Sequence, residues 1–238
     1  MFDEKRILSL IPARGGSKRL AHKNTLPLQG KPLIGWTIEA AKKSKYIDEI
    51  VVSTDDNEIA KIATKFGASV PFMRPAQLAT DTASSYSVVI HCLNYFKQKN
   101  VNFDKVLLLQ PTSPLRTEEH IDEAIASYFQ KDASALVSVC ECDHSPLWSN
   151  VLPASKSLAN FMRPETVGLR GQDLPKYYRL NGAIYMFDVN EYIKTEGNFY
   201  GPNAFGYEMN NQASIDIDTK TDFQLATLIL QEQDESTK

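Results

Sequence analysis

The chain has 238 residues, 42% of them hydrophobic and 23% charged, with a formal net charge of −3 and three cysteines. That is enough for one full hydrophobic core with an appendage, and it gives no positive excess to suit a nucleic-acid partner. No stretch reaches the ~18 apolar residues of a membrane span, MFDEKRILSL lacks the apolar core of a secretion signal, and the odd cysteine count suggests no disulfide framework, so the expectation is a cytoplasmic protein that does not engage a membrane.

Strand and helix signals alternate from the start. RILSLIPA predicts a first, central strand broken at a turn, and Pro32 opens an amphipathic helix in PLIGWTIEAAKKS. EIVVSTD predicts a β-branched strand, and DDNEIAKIATKFG a helix with Asp55 as cap, Glu58 three residues on and Gly67 as stop. SVPFMRP is a brief strand or extended segment, SSYSVVIHCLNYFKQ a helix, and KVLLLQ a buried strand ending at the breaker PTSP. TEEHIDEAIASYFQK and SALVSVCE are a further helix and strand. From His144 the pattern changes: four prolines and weak periodicity make 145–180 an inserted lobe, a lid or a dimerisation element, because a plain loop of that length is uncommon in a compact domain. NGAIYMFD and ASIDID predict two more strands, TKTDFQLATLILQ a closing helix, and EQDESTK a frayed polar tail. The alternation predicts a single domain with a largely parallel, three-layer α/β sheet. Ligands sit at the carboxyl ends of such strands, so 13–24, 53–56, 110–116 and the segment after Glu141 are the loops to examine.

Charge singles out the first of these loops. From Lys5 to Ile38 there is no acid, where the chain average predicts about four, while Lys5, Arg6, Arg14, Lys18, Arg19, Lys23 and Lys31 all fall in the window. A solvated basic face explains charge alone, but the glycines in IPARGGSKRLAHKN tilt the reading toward a compact polyanion. The loop contains neither G-x-x-x-x-G-K-[ST] nor G-x-G-x-x-G. It offers instead a wide turn in which Gly15 and Gly16 let backbone N–H groups approach a phosphate, with Arg14, Lys18 and Lys23 to neutralise it. Such a turn suits a triphosphate that reacts at its α-phosphorus, where the departing pyrophosphate needs stabilising.

Two further signals fit. In a strand, Asp216 and Asp218 of SIDIDT share one face, and two carboxylates beside a triphosphate suit Mg²⁺; the plain alternative is an exposed strand and a helix cap. Gln110 ends a buried strand, which places its amide at the ligand-bearing rim, whereas the following prolines are turn chemistry. Cys140, Cys142 and His144 alternate but match no zinc spacing, and Cys92 and His91 read as core packing and a structural histidine.

Taken in order, IPARGGSK followed by KN, RPAQLATDTASS, QPTSPLR, NGAIY and SIDIDT resemble the acylneuraminate cytidylyltransferases, from about Arg6 to about Leu230; the chain resembles less closely the enzymes that activate KDO, whose loop continues differently after IPAR. The resemblance implies a Rossmann-like nucleotidyltransferase fold, a homodimer, and transfer of CMP from CTP to the anomeric hydroxyl of a nine-carbon sugar acid, with Mg²⁺ and release of pyrophosphate. Carried over residue by residue, it implies that Arg14, Ser17, Lys18, Lys23 and Asn24 hold the triphosphate, that Arg14 and Lys23 stabilise the developing charge, and that Arg74, Ala83 and Ser85 surround the cytosine. It places Gln110, Arg179, Tyr185, Phe199 and Tyr200 on the sugar side, partly across the dimer, and makes Asp216 and Asp218 the metal ligands, with Mg²⁺ acidifying the attacking hydroxyl. Two departures bear on the sugar: Trp148 stands where some relatives carry a lysine, and Arg170 in LRGQDLP is slightly out of step with the expected arginine. The sugar carboxylate is therefore assigned to Arg170 or Arg179, with sialic, legionaminic and pseudaminic acids as the candidates. A sugar-nucleotide-binding protein without catalysis would not need Arg14, Lys23, Asp216 and Asp218 together.

Overall fold

A computed structural model describes Phe2 and residues 4–236 of the chain. Its strands are β1 (Ile7–Pro12), β2 (Pro27–Leu28), β3 (Lys31–Pro32), β4 (Glu49–Ser53), β5 (Lys105–Leu109), β6 (Ala135–Glu141), β7 (Tyr178–Asp188) and β8 (Ala204–Glu208). Its helices are α1 (Leu33–Lys43), α2 (Asn57–Phe66), α3 (Ser85–Gln98), α4 (Glu118–Gln130), α5 (Val189–Lys194) and α6 (Lys220–Ser236). Six strands form one sheet in the order β4-β1-β5-β7-β6-β8. β4, β1, β5, β6 and β8 run one way, and β7 runs antiparallel between β5 and β6.

The alternation along β1 builds the layers. Ile7 and Ile11 pack with α1, α2 and α4 on one face, while Leu8 and Leu10 pack with Val89 and Cys92 of α3 on the other. A third cluster joins Leu28, Leu33 and Leu115 to Ile217 and to Ala226, Ile229 and Leu230 of α6. The predicted three-layer α/β class is therefore present, with most strands parallel. No helix among the described residues is long and apolar enough to cross a membrane.

Four local expectations need correction. The cap of α2 is Asp56, whose carboxylate accepts from the N–H groups of Glu58 and Ile59, and Asp55 lies one residue outside; Gly67 does stop the helix, at φ 96°. ASIDID is not a strand: 215–218 belongs to no ladder, and the edge strand is β8, upstream of it. Alternating Ile215 and Ile217 imitate a strand pattern because Ile217 inserts into the α6 cluster, not because a ladder forms. The polar tail continues α6 through Ser236; its last two residues, Thr237 and Lys238, lie outside the described residues. The lobe ends at Tyr178, where β7 begins, and its regular structure is confined to three single turns of 3-10 helix.

One buried polar knot ties the sheet to the acidic segment. At Gly182 β7 takes φ 77°, and the pairing with β6 shifts register between Val137 and Val139. Beside this irregularity Asn181, 2% exposed, donates to Ser214 Oγ at 2.9 Å, accepts the Ala183 N–H at 3.1 Å and lies 2.5 Å from Ser138 Oγ. NGAIY is thus a strand with a built-in anchor for the turn that precedes 215–218. Asn181→Ala strands several buried partners and is expected to cost about 2–4 kcal/mol of stability. Urea unfolding checks this, and a loss under about 1 kcal/mol contradicts the anchoring role.

Candidate functional site

The loops following β1 and β5, the 74–85 segment and Asp218 enclose one open cleft of about 510 Å³ at the carboxyl ends of the parallel strands. Arg14, Ser17, Lys18, Lys23 and Asn24 line one wall, Arg74, Ala83 and Ser85 the other, and Gln110 the floor. All nine were picked out in the sequence, and Asp218 closes the rim.

The wide turn is held by acids and an amide. The Gly15 N–H donates to Asp55 Oδ1 at 3.0 Å, and a Cβ on Gly15 would stand 2.8 Å from Asp56 Oδ2. Gly15 is therefore required by the amino end of α2 and its N–H is already committed, which corrects its expected use toward phosphate; around Gly16 the space is open. Asn24, 5% exposed, braces the loop from inside by donating to the Arg14 carbonyl at 3.0 Å, while its buried Oδ1 has no partner. Arg74 is buried, donates to Ser53 Oγ at 3.0 Å and to the Ser53 carbonyl at 2.5 Å, and so clamps the second wall to the end of β4. Burial pulls its guanidinium down to about 10; Asp55 opposes that shift and Arg14 adds to it.

Two carboxylates each bridge two bases. Asp218 meets Lys23 at 2.9 Å and Arg19 at 2.5 Å, and Asp81 meets Arg14 at 2.7 Å and also Lys18. Neither Arg19 nor Asp81 was assigned a site role from sequence; Arg19 was visible only as a member of the basic run, and Asp81 only as a letter within RPAQLATDTASS.

Asp218 is placed by its neighbours in the chain. Ile217 is fully buried and its N–H donates to the Thr112 carbonyl at 2.8 Å, which pins 215–218 to the loop after β5. The Asp218 N–H donates to Asp222 Oδ2 at 3.1 Å in the first turn of α6. Asp216 is an exposed residue outside the cleft lining. Desolvation, with the charges of Asp218 and Asp222 added, holds its carboxyl above the ordinary range against a hydrogen bond from Thr112 and the pull of Lys23. Burial raises the Tyr185 hydroxyl, and Tyr200 and then Asp216 add to the shift. Tyr185 meets Phe199 edge-on at 5.5 Å, and Phe199 meets Tyr200 at 4.7 Å. These three form a group beside the cleft rather than in it.

Arg170 of the lobe and Arg179 of β7 do not line the cleft of their own chain. Arg170 is exposed and spends its fork on Asp173, at 2.9 and 3.1 Å. Arg179 is exposed on β7, opposite Cys140 of β6. Trp148 packs in the lobe, 3.3 Å from where a Cβ on Gly171 would stand. Among the described residues, no group of three or more His, Cys, Asp and Glu side chains gathers as a metal site, so a cation on Asp216 and Asp218 needs oxygens from phosphate or water to complete its shell.

Behind the floor lies a residue that sequence reasoning missed. Arg116 is 1% exposed and donates to the carbonyls of Gln110 (3.1 Å) and Ala183 (2.9 Å) and to Thr37 Oγ1 (2.7 Å). It fixes the Gln110 turn between β7 and α1, and burial pulls it down to about 9. Its only sequence signal was its place in QPTSPLR.

An open α/β sheet with a basic cleft at its carboxyl edge suits a nucleotide or another polyanionic ligand. The cytidylyltransferase family model matches residues 8–232, and the chain belongs to that family. It is 42% identical to the CMP-N,N'-diacetyllegionaminic acid synthase of Legionella pneumophila, over 95% of this chain and 97% of that one. It is 35% identical to the N-acylneuraminate cytidylyltransferase of Escherichia coli, covering 96% of this chain and 53% of that longer protein. A pseudaminic acid cytidylyltransferase of Campylobacter jejuni is 33% identical, over 96% of this chain and 98% of that one. In fold, the chain matches a CMP:2-keto-3-deoxy-manno-octonic acid synthetase solved with CTP, at TM-score 0.70 and 18% identity, over 96% and 99% of the two chains.

The raised carboxyl of Asp216 has a measurable sign. Because its folded carboxyl titrates above the ordinary value, the native state binds more protons between the two values, and stability falls as pH rises through that window. Asp216→Asn is therefore expected to match or exceed the wild-type melting temperature at neutral pH, with the two converging at acid pH. A clearly lower neutral-pH midpoint contradicts it.

Proposed function

We propose that this cytidylyltransferase is a CMP-nonulosonic acid synthase, which transfers CMP from CTP to the anomeric hydroxyl of a nine-carbon sugar acid and releases pyrophosphate. The observation that carries the proposal is the gathering of Arg14, Lys18, Arg19 and Lys23 around one cleft whose opposite wall holds Arg74, Ala83 and Ser85. Cations on one side suit the triphosphate, and the tighter wall, clamped by Arg74 on Ser53, suits a base. Ser85 offers the cytosine a hydroxyl at the start of α3.

In this reading the chain's own groups do most of the work. Arg14 and Lys23 stay near the α-phosphorus and take up the charge that develops as the pyrophosphate departs, where preorganised cations contribute most. Lys23 is only 14% exposed, so its charge acts through little water. Gln110, held by Arg116 through its carbonyl, presents its amide to the sugar side of the floor. A Mg²⁺ ion on Asp216 and Asp218 would supply Lewis acidity toward the sugar hydroxyl and the phosphate oxygens; the donor set fits, since both are hard oxygen ligands and the crowded pair is relieved by a cation.

The sugar carboxylate is assigned to Arg170 of the lobe or Arg179 at the start of β7, supplied by a second copy. Support for a homodimer comes from the lobe's uncovered apolar surface: Val151, Leu152, Leu158, Val167 and Leu169 are 43–85% exposed on a segment with little internal packing. Among sugars, a legionaminic-type acid is the favoured substrate. The higher identity to the diacetyllegionaminate synthase supports it, and so does an aromatic Trp148 where some relatives carry a lysine, since an indole packs against a methyl group.

Pyrophosphate release from CTP, measured with legionaminic, neuraminic and pseudaminic acid derivatives in turn, tests both levels. The expected outcome is Mg²⁺-dependent turnover with the highest kcat/KM for the legionaminic derivative. Turnover with none of the three sinks the reading, and preference for neuraminic acid shifts the substrate alone. In the same assay Lys23→Ala is expected to lower kcat ~30- to 1000-fold, the equivalent of about 2–4 kcal/mol, with a smaller effect on KM.

A further inference from the structure

The cleft carries an acid that its proposed chemistry does not use. Asp81 sits on the turn between Leu78 and α3, on the wall opposite the basic loop, and is 41% exposed. Its Oδ1 takes Arg14 at 2.7 Å and its Oδ2 takes Lys18, so one carboxylate spans the mouth of the cleft from wall to wall. Both bases belong to the loop assigned to the triphosphate. Ion pairs this exposed add little to folding, since Arg14 is 34% and Lys18 78% exposed, so stability does not account for an acid aimed at these particular cations. The other rim acid, Asp218, has a ligand role in the proposed function; Asp81 has none.

We propose that Asp81 is a built-in competitor for phosphate: it occupies Arg14 and Lys18 in the empty cleft, latches the basic loop to the opposite wall, and is displaced when a polyphosphate enters. This rests on the reading of the cleft as a triphosphate site and sets how tightly that site holds its anions. The donors that bind Asp81 cannot at the same time make those bonds to phosphate, so every anionic ligand pays against the same latch (CTP on entry and pyrophosphate before exit). The displaced carboxylate stays near the ligand and repels it, which favours release of the more compact pyrophosphate. Hydrogen bonds from Lys18 and Arg14 also hold the Asp81 carboxyl below its ordinary range, so the competitor keeps its charge throughout the neutral region.

The test is calorimetric binding of CTP and of inorganic pyrophosphate, without sugar acid, to wild type, Asp81→Asn and Asp81→Glu, with circular dichroism as the check on folding. Asp81→Asn is expected to bind pyrophosphate about 3- to 20-fold tighter and CTP tighter as well, an advantage that shrinks as salt rises, while Asp81→Glu restores wild-type affinity. In turnover, the KM for CTP falls and product inhibition by pyrophosphate strengthens. Should wild type bind both anions while Asp81→Asn binds them no tighter, or more weakly, Asp81 is a support for the loop and the competitor is overturned. If wild type binds neither anion, the triphosphate reading falls and takes this proposal with it.

Discussion

Four cations on one short loop repel one another, and the architecture of this protein answers that repulsion. Arg14, Lys18, Arg19 and Lys23 lie within ten residues of chain, and each is paired with one of only two carboxylates, Asp81 and Asp218. Those acids come from 81 and 218, far apart in sequence, so the loop's cations find their partners only when the 74–85 wall and the 215–218 segment are both in place. The rest of the fold can be followed outward from that requirement. Arg74 clamps the first wall to β4, and Ile217, Thr112 and Asn181 together fix the second.

The arrangement leaves the cleft net positive, with Arg14, Lys18, Arg19 and Lys23 only partly offset by Asp81 and Asp218. Surface ion pairs of this kind hold positions without committing much energy, and a polyphosphate that brings several charges at once outcompetes them. The rigid parts lie deeper: a fully buried Arg116 anchors the floor, and a buried Asn24 braces the loop's root. A cleft with fixed walls and exchangeable ionic contacts suits an enzyme that must hold a triphosphate firmly and then let a pyrophosphate go.

How much of this could be read in the sequence follows from the range of the interactions. Local signals were legible. Periodicity gave the α/β alternation, Gly67 gave a helix stop, and the basic run marked the loop, because each depends on residues a few positions apart. The cap moved from Asp55 to Asp56 because the tertiary approach of Gly15 engages the first of two adjacent acids and leaves the second to the helix. SIDID imitated a strand because a buried Ile217 needs the same alternation whether or not a ladder forms. β8 was hidden in AFGYE, where a glycine and a half-exposed edge weaken the pattern. Asp81 and Arg116 were out of reach, since a lone acid in a turn and an arginine at the end of a proline-bearing turn show their roles only when distant partners arrive. Arg170 and Arg179 do not line the cleft of their own chain, and in the proposed reading their target lies on a second copy.

The central claim is that this loop is a triphosphate cradle, and binding of cytidine, CMP and CTP in the absence of sugar acid tests it most directly. If the cations around 14–23 hold the β- and γ-phosphates, CTP binds at least about tenfold more tightly than CMP, cytidine binds weakest, and the difference between CTP and CMP narrows as ionic strength rises. Equal affinity for CMP and CTP, unchanged by salt, would mean that the loop does not hold the triphosphate and would contradict the account at its base.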